Sequence, residues 1–180
     1  MHPLQLSYPH NLRRLTLRLL DGETPEELGL KGWQMVDRSI NIGQGDECYA
    51  EAARRLHSGE VHANAKMQLL GKIEKGEIVT LKFAGTTSKC VILEFIHHPT
   101  KTVLVYGTLA GHVEKGEEAF EITLNDDDTV EGRIVAFSRP ARWWAWLGNG
   151  VVRPIQLWIT QRYLEGMIPP GNPGNTDQKN

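Results

Sequence analysis

Residues 106–120, with the sequence YGTLAGHVEKGEEAF, contain side chains whose types and spacing could do chemistry. One histidine, His112, and three glutamates stand there among three glycines, inside a region that otherwise has the pattern of an ordinary sheet. An imidazole and a carboxylate within about 3 Å of each other, or joined by one water, can act as an acid–base pair. His112 and Glu118 are therefore a candidate pair for hydrolysis or isomerisation. The alternative is that His112 hydrogen-bonds a neighbouring carbonyl or Glu118 in a structural role.

The two adjacent acids of this stretch point in opposite directions if residues 117–124 form a strand. Side chains alternate across a sheet, so Glu118 shares a face with Phe120 and Ile122, whereas Glu117 lies on the other face. A carboxylate on an apolar face needs a partner, a raised pKa or access to water. Glu118 therefore lies either within an apolar wall or at the frayed, hydrated start of its strand.

Further side chains could join these groups in a pocket. Tyr106 and Thr108 share a face of the preceding strand and would place two hydroxyl groups in an apolar wall, as a binding pocket requires. They could equally face outward. Arg139 has the planar donor fork that suits a carboxylate or phosphate, and a surface ion pair is the alternative use of that side chain.

Metal and cofactor motifs are missing from the sequence. His97 and His98 are adjacent, so on a strand they point to opposite faces and make a poor pair of metal ligands. Cys48 and Cys90 are far apart, without metal spacing or a disulfide framework. Neither a P-loop nor a GxGxxG fingerprint occurs, and His112 has no HExxH helix around it. The sequence predicts no metal site and no cofactor.

The strands that must position these residues follow from extended runs separated by turn residues. This pattern is typical of an antiparallel meander and predicts about seven strands, at residues 33–42, 63–70, 77–83, 90–97, 102–109, 117–124 and 129–137. A symmetric turn at residues 125–129 would place Phe120 opposite Ile134 and Glu121 opposite Arg133.

Helical patterns flank this sheet. A helix beginning at Asp46 carries an apolar stripe of Tyr49, Ala52, Ala53 and Leu56. Residues 12–20 fit a strand or a helix, and both remain open. The SRP segment at 138–140 predicts the start of a short helix that carries Trp143, Trp144 and Trp146, and at least one of these tryptophans should be exposed. A last helix runs from about 151 to 166, with Pro154 in its first turn.

One helix after the first strand, a long antiparallel run and a final amphipathic helix predict an α+β domain whose curved sheet packs against the C-terminal helix. A chain of 180 residues with 40% hydrophobic side chains suits one domain, at residues 1–167, followed by a flexible tail at 168–180. Such a sheet either closes on its helix with a filled core or stays open as a pocket, and the sequence favours neither.

Charge and hydropathy exclude several classes of partner. The formal net charge is −2, from 20 basic and 22 acidic residues, and no basic cluster suggests nucleic-acid binding. No apolar run approaches the ~20 residues of a membrane helix, and the first residues lack the features of a signal peptide. The sequence therefore predicts a soluble, cytoplasmic protein without an integral membrane segment.

These motifs together resemble a family catalogued as domain of unknown function nineteen-ninety. The resemblance extends over roughly residues 4–167 and includes Trp33 after Gly32, GQG at 43–45, the helix with Tyr49, Ala52 and Leu56, the YGTLAGHVEKGEEAF segment, FSRP at 137–140, and Gln156 with Arg162, Tyr163 and Leu164. The chain departs from the family at His57 and Ser58, where a tryptophan is common. The resemblance implies a START-like helix-grip fold, related to that of the birch pollen allergen, in which sheet and C-terminal helix enclose a hydrophobic cavity. It implies no activity.

Three functions are consistent with these observations. The first is a binding module that holds a small hydrophobic or amphipathic molecule between the sheet and the C-terminal helix. Its predicted ligand-binding residues are Tyr106, Thr108, His112, Glu118, Ser138, Arg139, Trp143, Gln156 and Tyr163. The second is an acid–base enzyme that uses His112 and Glu118. The third is a protein-interaction module whose docking surface is the helix with Trp143, Trp144 and Trp146.

Overall fold

The computed structural model describes residues 5–140 and 149–171, and side chains in the last helix from Arg153 onward. Its helices are α1 (Leu15–Leu20), α2 (Gly45–Ser58), α3 (Glu60–Asn64) and α4 (Asn149–Met167), after a short 3-10 turn at His10–Leu12. Its strands are β1 (Gln34–Gln44), β2 (Gln68–Leu70), β3 (Ile78–Phe83), β4 (Thr86–His98), β5 (Lys101–Thr108), β6 (Glu114–Leu124) and β7 (Thr129–Pro140).

The seven strands form one curved antiparallel sheet in the order β1-β7-β6-β5-β4-β3-β2. Strands β2 to β7 follow one another as a meander, and β1 closes the sheet by pairing with β7. The predicted register of the last hairpin is confirmed, with Phe120 opposite Ile134 and Glu121 opposite Arg133. The protein is an α+β domain, as the order of its elements predicted, and it has the helix-grip architecture that the family resemblance implied.

Helices α2, α3 and α4 cover one face of the sheet, which we call the helix face. The predicted stripe of α2 is buried there, from Tyr49 at 4% exposure to Leu56 at 0%. Phe120 and Ile122 of β6 face these helices, together with Tyr163 and Met167 of α4. This layer of helix on sheet forms the larger of two apolar clusters.

The N-terminal segment covers the opposite face of the sheet, which we call the outer face. Residues 12–20, undecided in the sequence, form helix α1 with Leu15 and Leu19 buried against this face. Val105, Ala119 and Phe137 of the central strands pack against the segment. The central strands are thus buried on both faces.

Several sequence predictions were wrong in detail. Residues 63–70 are not one strand: α3 occupies Glu60–Asn64, because Val61 and His62 are buried and α3 packs against α4. The SRP segment continues strand β7 to Pro140 instead of starting a helix, since Ser138 pairs with Gly116 on one side and Gln34 on the other.

Two predicted helix starts also need correction, and a third predicted helix lies outside the described residues. The N-cap of α2 is Gln44, so Asp46 lies inside the first turn, where its charge favours the helix dipole. Helix α4 begins at Asn149, two residues early, which moves Pro154 beyond the first turn. The helix predicted around Trp143, Trp144 and Trp146, and most of the predicted C-terminal tail, lie outside the described residues.

Candidate functional site

A cavity of about 290 Å³ lies between the helix face of the sheet and α4. Its walls are mostly apolar, with side chains such as Leu81, Phe83, Ile155 and Ile159. Seven of the nine predicted site residues line it: Tyr106, Thr108, His112, Glu118, Ser138, Gln156 and Tyr163. Glu114, which was not among the predicted site residues, lines it as well. The sheet therefore stays open beneath α4.

Glu118 is the central polar group of this cavity. It lies on the same face as Phe120 and Ile122, as the strand pattern predicted, and the Tyr106 hydroxyl donates a 2.6 Å hydrogen bond to its Oε2. Burial raises the pKa of Glu118 to about 7; the Tyr106 hydrogen bond opposes that rise and the nearby charge of Glu114 adds to it. Glu118 is thus an acid poised near neutrality within an apolar wall.

A second polar group joins α4 to the edge of the cavity. The Gln156 amide donates a 2.8 Å hydrogen bond to the Ser138 hydroxyl, and its nitrogen lies 3.4 Å from Oε2 of Glu114. Burial raises the pKa of Glu114, and the charge of Arg153 opposes this rise. The carbonyl oxygen of Gln156 accepts a 2.9 Å hydrogen bond from Arg153. Gln156 therefore holds the start of β6 and the end of β7 against α4.

His112 lies in the turn between β5 and β6, where Gly111 adopts a φ of +89°. Its Nδ1 accepts a 3.0 Å hydrogen bond from the backbone N–H of Glu114, which is always a donor. Nδ1 is therefore unprotonated, and Nε2 carries the hydrogen of the neutral ring. Burial lowers the pKa of His112 to about 4. Among the described residues, no hydrogen bond joins His112 to Glu118.

Thr108 and Tyr163 have local partners. The Thr108 hydroxyl accepts a 2.8 Å hydrogen bond from the backbone N–H of Gly116 and lies 2.6 Å from the Ser7 hydroxyl, so it fixes the first residues of β6. The Tyr163 hydroxyl lies 2.8 Å from the sulfur of Met67. Burial raises the pKa of Tyr163 well above its ordinary value. Both side chains shape the cavity while remaining bonded to the fold.

His62 is a buried residue beside the site that the sequence patterns did not single out. Its ring lies 5.0 Å from that of Tyr163 and 5.9 Å from that of Tyr106, and neither ring nitrogen has a hydrogen-bond partner among the described residues. Burial lowers its pKa to about 3. In the sequence, the spacing of Val61, His62 and Ala65 fits one face of a helix, but a strand was predicted from residue 63 onward. The structure buries all three side chains.

Two predicted site residues are not in the cavity as described. Arg139 is exposed, donates hydrogen bonds to the backbone carbonyls of Lys31 and Gly32, and places its guanidinium carbon 4.5 Å from the centroid of the Trp33 ring. This arginine holds the end of the N-terminal segment. Trp143 lies outside the described residues.

Residues 5–140 and 149–171 contain neither a metal-binding cluster nor a helix that could span a membrane. No group of three or more histidine, cysteine, aspartate or glutamate side chains in those ranges is arranged to hold a metal ion. In the same part of the chain, no helix has both the length and the apolar character needed to cross a membrane.

A family model described as a domain of unknown function, DUF1990, matches residues 19–166. The chain belongs to the DUF1990 family. The chain is similar to a UPF0548 protein of Deinococcus radiodurans, with 25% identity over 142 residues and 68% of each chain covered.

Solved structures resemble this DUF1990 chain at the level of the fold. A hypothetical protein of Helicobacter pylori superposes with a TM-score of 0.60 at 13% identity, over 93% of this chain and 96% of that one. The di-domain aromatase/cyclase StfQ of the steffimycin biosynthetic pathway superposes with a TM-score of 0.54 at 12% identity. The match covers 87% of this chain and 57% of StfQ. The ZhuI aromatase/cyclase of Streptomyces sp. R1128 superposes with a TM-score of 0.50 at 13% identity. The match covers 76% of this chain and 92% of ZhuI.

Proposed function

We propose that this protein binds a small hydrophobic or amphipathic molecule in the cavity between the sheet and α4. The observation that carries the proposal is an apolar cavity of about 290 Å³ with a few polar groups in its wall. Sites for small molecules are concave and mostly apolar, with a small number of placed polar groups that orient the ligand. This volume lies at the lower end of their range, about 300–1,000 Å³, and suits a small ligand.

The polar groups are suited to orienting one end of such a molecule. Glu114 and Glu118 influence each other electrostatically, and Gln156 lies between Glu114 and Ser138, so these groups form one connected polar region. Ile155 and Ile159 of α4 line the same cavity and provide apolar contacts. A ligand with one polar end and an apolar body would satisfy both parts of this lining.

The acid–base hypothesis receives less support. A pKa of about 7 would suit Glu118 for proton transfer. However, His112 has Nδ1 engaged by the backbone of Glu114 and is not hydrogen-bonded to Glu118 in the described part of the chain. The interaction hypothesis rests on tryptophans that lie outside the described residues. Binding is therefore the function that this geometry supports best.

A filled-cavity variant tests the proposal. Ile159 lines the cavity from α4, so Ile159→Trp should occupy part of its volume without adding charge. Ile78 is 43% exposed on β3 and outside the cavity lining, so Ile78→Trp is a matched control for the same substitution. The wild type and both variants are incubated with a lipid and metabolite extract and separated by gel filtration. Retained small molecules are then identified by mass spectrometry.

We expect the wild type and Ile78→Trp to retain the same small molecule, and Ile159→Trp to retain far less. Thermal unfolding of all three proteins verifies that Ile159→Trp is folded. Retention of nothing above the level of an unrelated protein would contradict the proposal. So would equal retention by a folded Ile159→Trp, because the ligand would then lie elsewhere.

A further inference from the structure

The described lining of the cavity contains carboxyl groups but no lysine or arginine. Glu114 and Glu118 contribute acidic side chains, whereas the carboxylate of Glu117 is bound to Tyr8 and the N-terminal segment on the outer face. His112 is a neutral ring, because its Nδ1 accepts from a backbone N–H. The fixed charge that a ligand meets in this part of the cavity is therefore negative whenever the glutamates ionise.

Glu118 has no positively charged partner in the described structure. Its Oε2 accepts from the Tyr106 hydroxyl, and Oε1 accepts no hydrogen bond from any described residue. Among the described residues, the titratable groups that interact with it are Tyr106, Glu114, Tyr163 and Cys90, none of which carries positive charge. Its pKa is raised to about 7 chiefly by burial. A cation in the cavity would supply the missing partner.

Arg153, which lies near this region, is already engaged. Its guanidinium donates hydrogen bonds to Oε1 of Gln156 at 2.9 Å and to the backbone carbonyl of Met35 at 2.7 Å. It does not line the cavity, although its charge lowers the pKa of Glu114 against the larger effect of burial. Arg153 therefore stabilises α4 against the sheet and forms no ion pair with Glu118.

Aromatic rings complete the lining in a way that favours a cation. Phe83, Tyr106 and Tyr163 all line the cavity. The face of an aromatic ring carries partial negative charge and attracts an ammonium group within about 6 Å of the ring centroid. The aromatic ring faces and the carboxyl group of Glu118 therefore both favour a positively charged group in the ligand.

Resting on the ligand-binding function proposed above, we infer that the cavity selects a molecule with one compact organic cation, such as a protonated amine, on a short apolar body. Glu118 makes the main ionic contact through Oε1, which accepts no hydrogen bond from the described residues, and Glu114 makes the second. An anionic head group of the same size is disfavoured, because it would meet two carboxyl groups and no described positive side chain in the lining.

Three probes with the same alkyl chain, octylamine, octan-1-ol and octanoate, separate this inference from general hydrophobic binding. Their affinities are measured by isothermal titration calorimetry at about pH 8, where Glu118 is mostly ionised. The intact wild type is compared with Glu118→Gln and Glu114→Gln. Glu131→Gln is the matched control, because Glu131 is exposed on β7 and outside the cavity lining.

We expect octylamine to bind tightest and octanoate weakest to the wild type. Glu118→Gln should weaken octylamine about tenfold or more, as expected for the loss of a charge-assisted contact, and change octan-1-ol by less than about threefold. Glu114→Gln should show the same pattern with a smaller effect, and Glu131→Gln none. Unchanged octan-1-ol binding also shows that each variant keeps its cavity.

Equal affinity for the three probes, tightest binding of octanoate, or octylamine binding unaffected by both cavity variants would overturn the inference while leaving the binding function in place. If none of the three probes binds, the inference is tested on the molecule that the wild type retains from the lipid and metabolite extract. A retained molecule without a basic nitrogen overturns the cation inference alone. Retention of nothing overturns the binding function and, with it, this inference.

Discussion

Tyr106 and Glu118 are direct cross-strand partners on β5 and β6, and the Tyr106 hydroxyl donates a 2.6 Å hydrogen bond to the Glu118 carboxyl group. This pair links the register of the sheet to the chemistry of the cavity. A slip of one residue would exchange the faces of β6 and turn Glu118 away from α4. Phe120, fully buried opposite Leu104 and Ile134, prevents such a slip.

The raised pKa of Glu118 predicts how stability depends on pH. Between about 4.5 and 7 the folded state keeps a proton on Glu118 that the unfolded chain releases, so this group's contribution to stability falls as pH rises through that window. Glu118→Gln removes the effect. Relative to the wild type, we expect the variant to gain about 2–3 kcal/mol in free energy of unfolding between about pH 5 and about pH 8.

Urea unfolding at both pH values measures this difference. Glu131→Gln, exposed on β7, reports the effect of the same substitution outside the cavity. Glu114 is still present in Glu118→Gln and also has a raised pKa. The contribution of Glu118 is therefore the difference between the pH dependence of the wild type and that of Glu118→Gln. A difference that stays constant across the window would show that Glu118 has an ordinary pKa in the folded protein.

The lowered pKa of His62 predicts that stability falls as pH decreases, opposite to the effect of Glu118. Its pKa falls from 6.5 to about 3 on burial, so the unfolded chain binds a proton in this interval while the folded state does not. Stability due to His62 is therefore lost as pH falls below about 6.5, by about 2 kcal/mol at about pH 5. His62→Leu should remove this loss, and it also removes two buried ring nitrogens that have no hydrogen-bond partner in the described part of the chain.

Urea unfolding at about pH 7 and about pH 5 tests the His62 prediction. His10→Leu, at an exposed position, is the control for the loss of one histidine. The free energy of unfolding of His62→Leu should depend less on pH than that of the wild type. An equally steep acid loss in His62→Leu would assign the dependence to other groups.

The alternation of β6 was sufficient to predict which of its side chains share one face of the sheet. Glu118 and Phe120 share the helix face, and the register opposite β7 also follows the prediction. The ion pairs do not follow from that register. Glu121 lies opposite Arg133 but bonds Lys101, while Arg133 pairs with Asp37. A central strand has neighbours on both sides, and the pattern of one hairpin does not reveal which neighbour its charges choose.

Contacts between distant parts of the chain could not be predicted from local spacing. Residues 6–33 cover the outer face of the sheet, which converts strands with one predicted core face into strands buried on both faces. Glu114 was predicted to lie in a loop and instead begins β6 facing α4. His62 depends on packing between α3 and α4, more than ninety residues apart in sequence, which no local period encodes.

Gly116 predicts a steric requirement for glycine at the start of β6. A Cβ there would collide with the backbone carbonyl of Phe137 and lie 2.8 Å from the Cα of Ser138, both on the paired strand β7. Gly116→Ala must therefore displace backbone, and we expect it to lower the free energy of unfolding by about 2–4 kcal/mol. Gly111→Ala is the comparison, because Gly111 has open space but a φ of +89°.

Equilibrium unfolding in urea should show a loss of about 1 kcal/mol for Gly111→Ala, the cost of a left-handed backbone in alanine. The difference between the losses in free energy of unfolding of the two variants measures the cost of the steric clash at Gly116. Losses of equal size would indicate that β6 and β7 separate easily at this end.

Glu117 predicts how the N-terminal segment is held on the outer face. Its buried carboxylate accepts hydrogen bonds from the Tyr8 hydroxyl at 2.7 Å, from the backbone N–H of Arg14 at 2.8 Å, and from the N–H and hydroxyl of Thr16 at 3.0 and 2.5 Å. Arg14 has a left-handed φ of 65°, which is unfavourable for a non-glycine residue. The carboxylate thus stabilises a strained turn at the start of α1.

Glu117→Gln replaces two acceptor oxygens by one and places a donor against backbone N–H groups. We expect the amides of Arg14 and Thr16 to exchange with deuterium about tenfold faster or more, since charged hydrogen bonds contribute about 1.5–3 kcal/mol. Tyr8→Phe removes a single donor and should accelerate the same amides less. The amide of Leu104, on β5, reports global opening. If Leu104 accelerates as much as Arg14 and Thr16, Glu117 stabilises the whole sheet, and the segment has no separate opening that depends on this carboxylate.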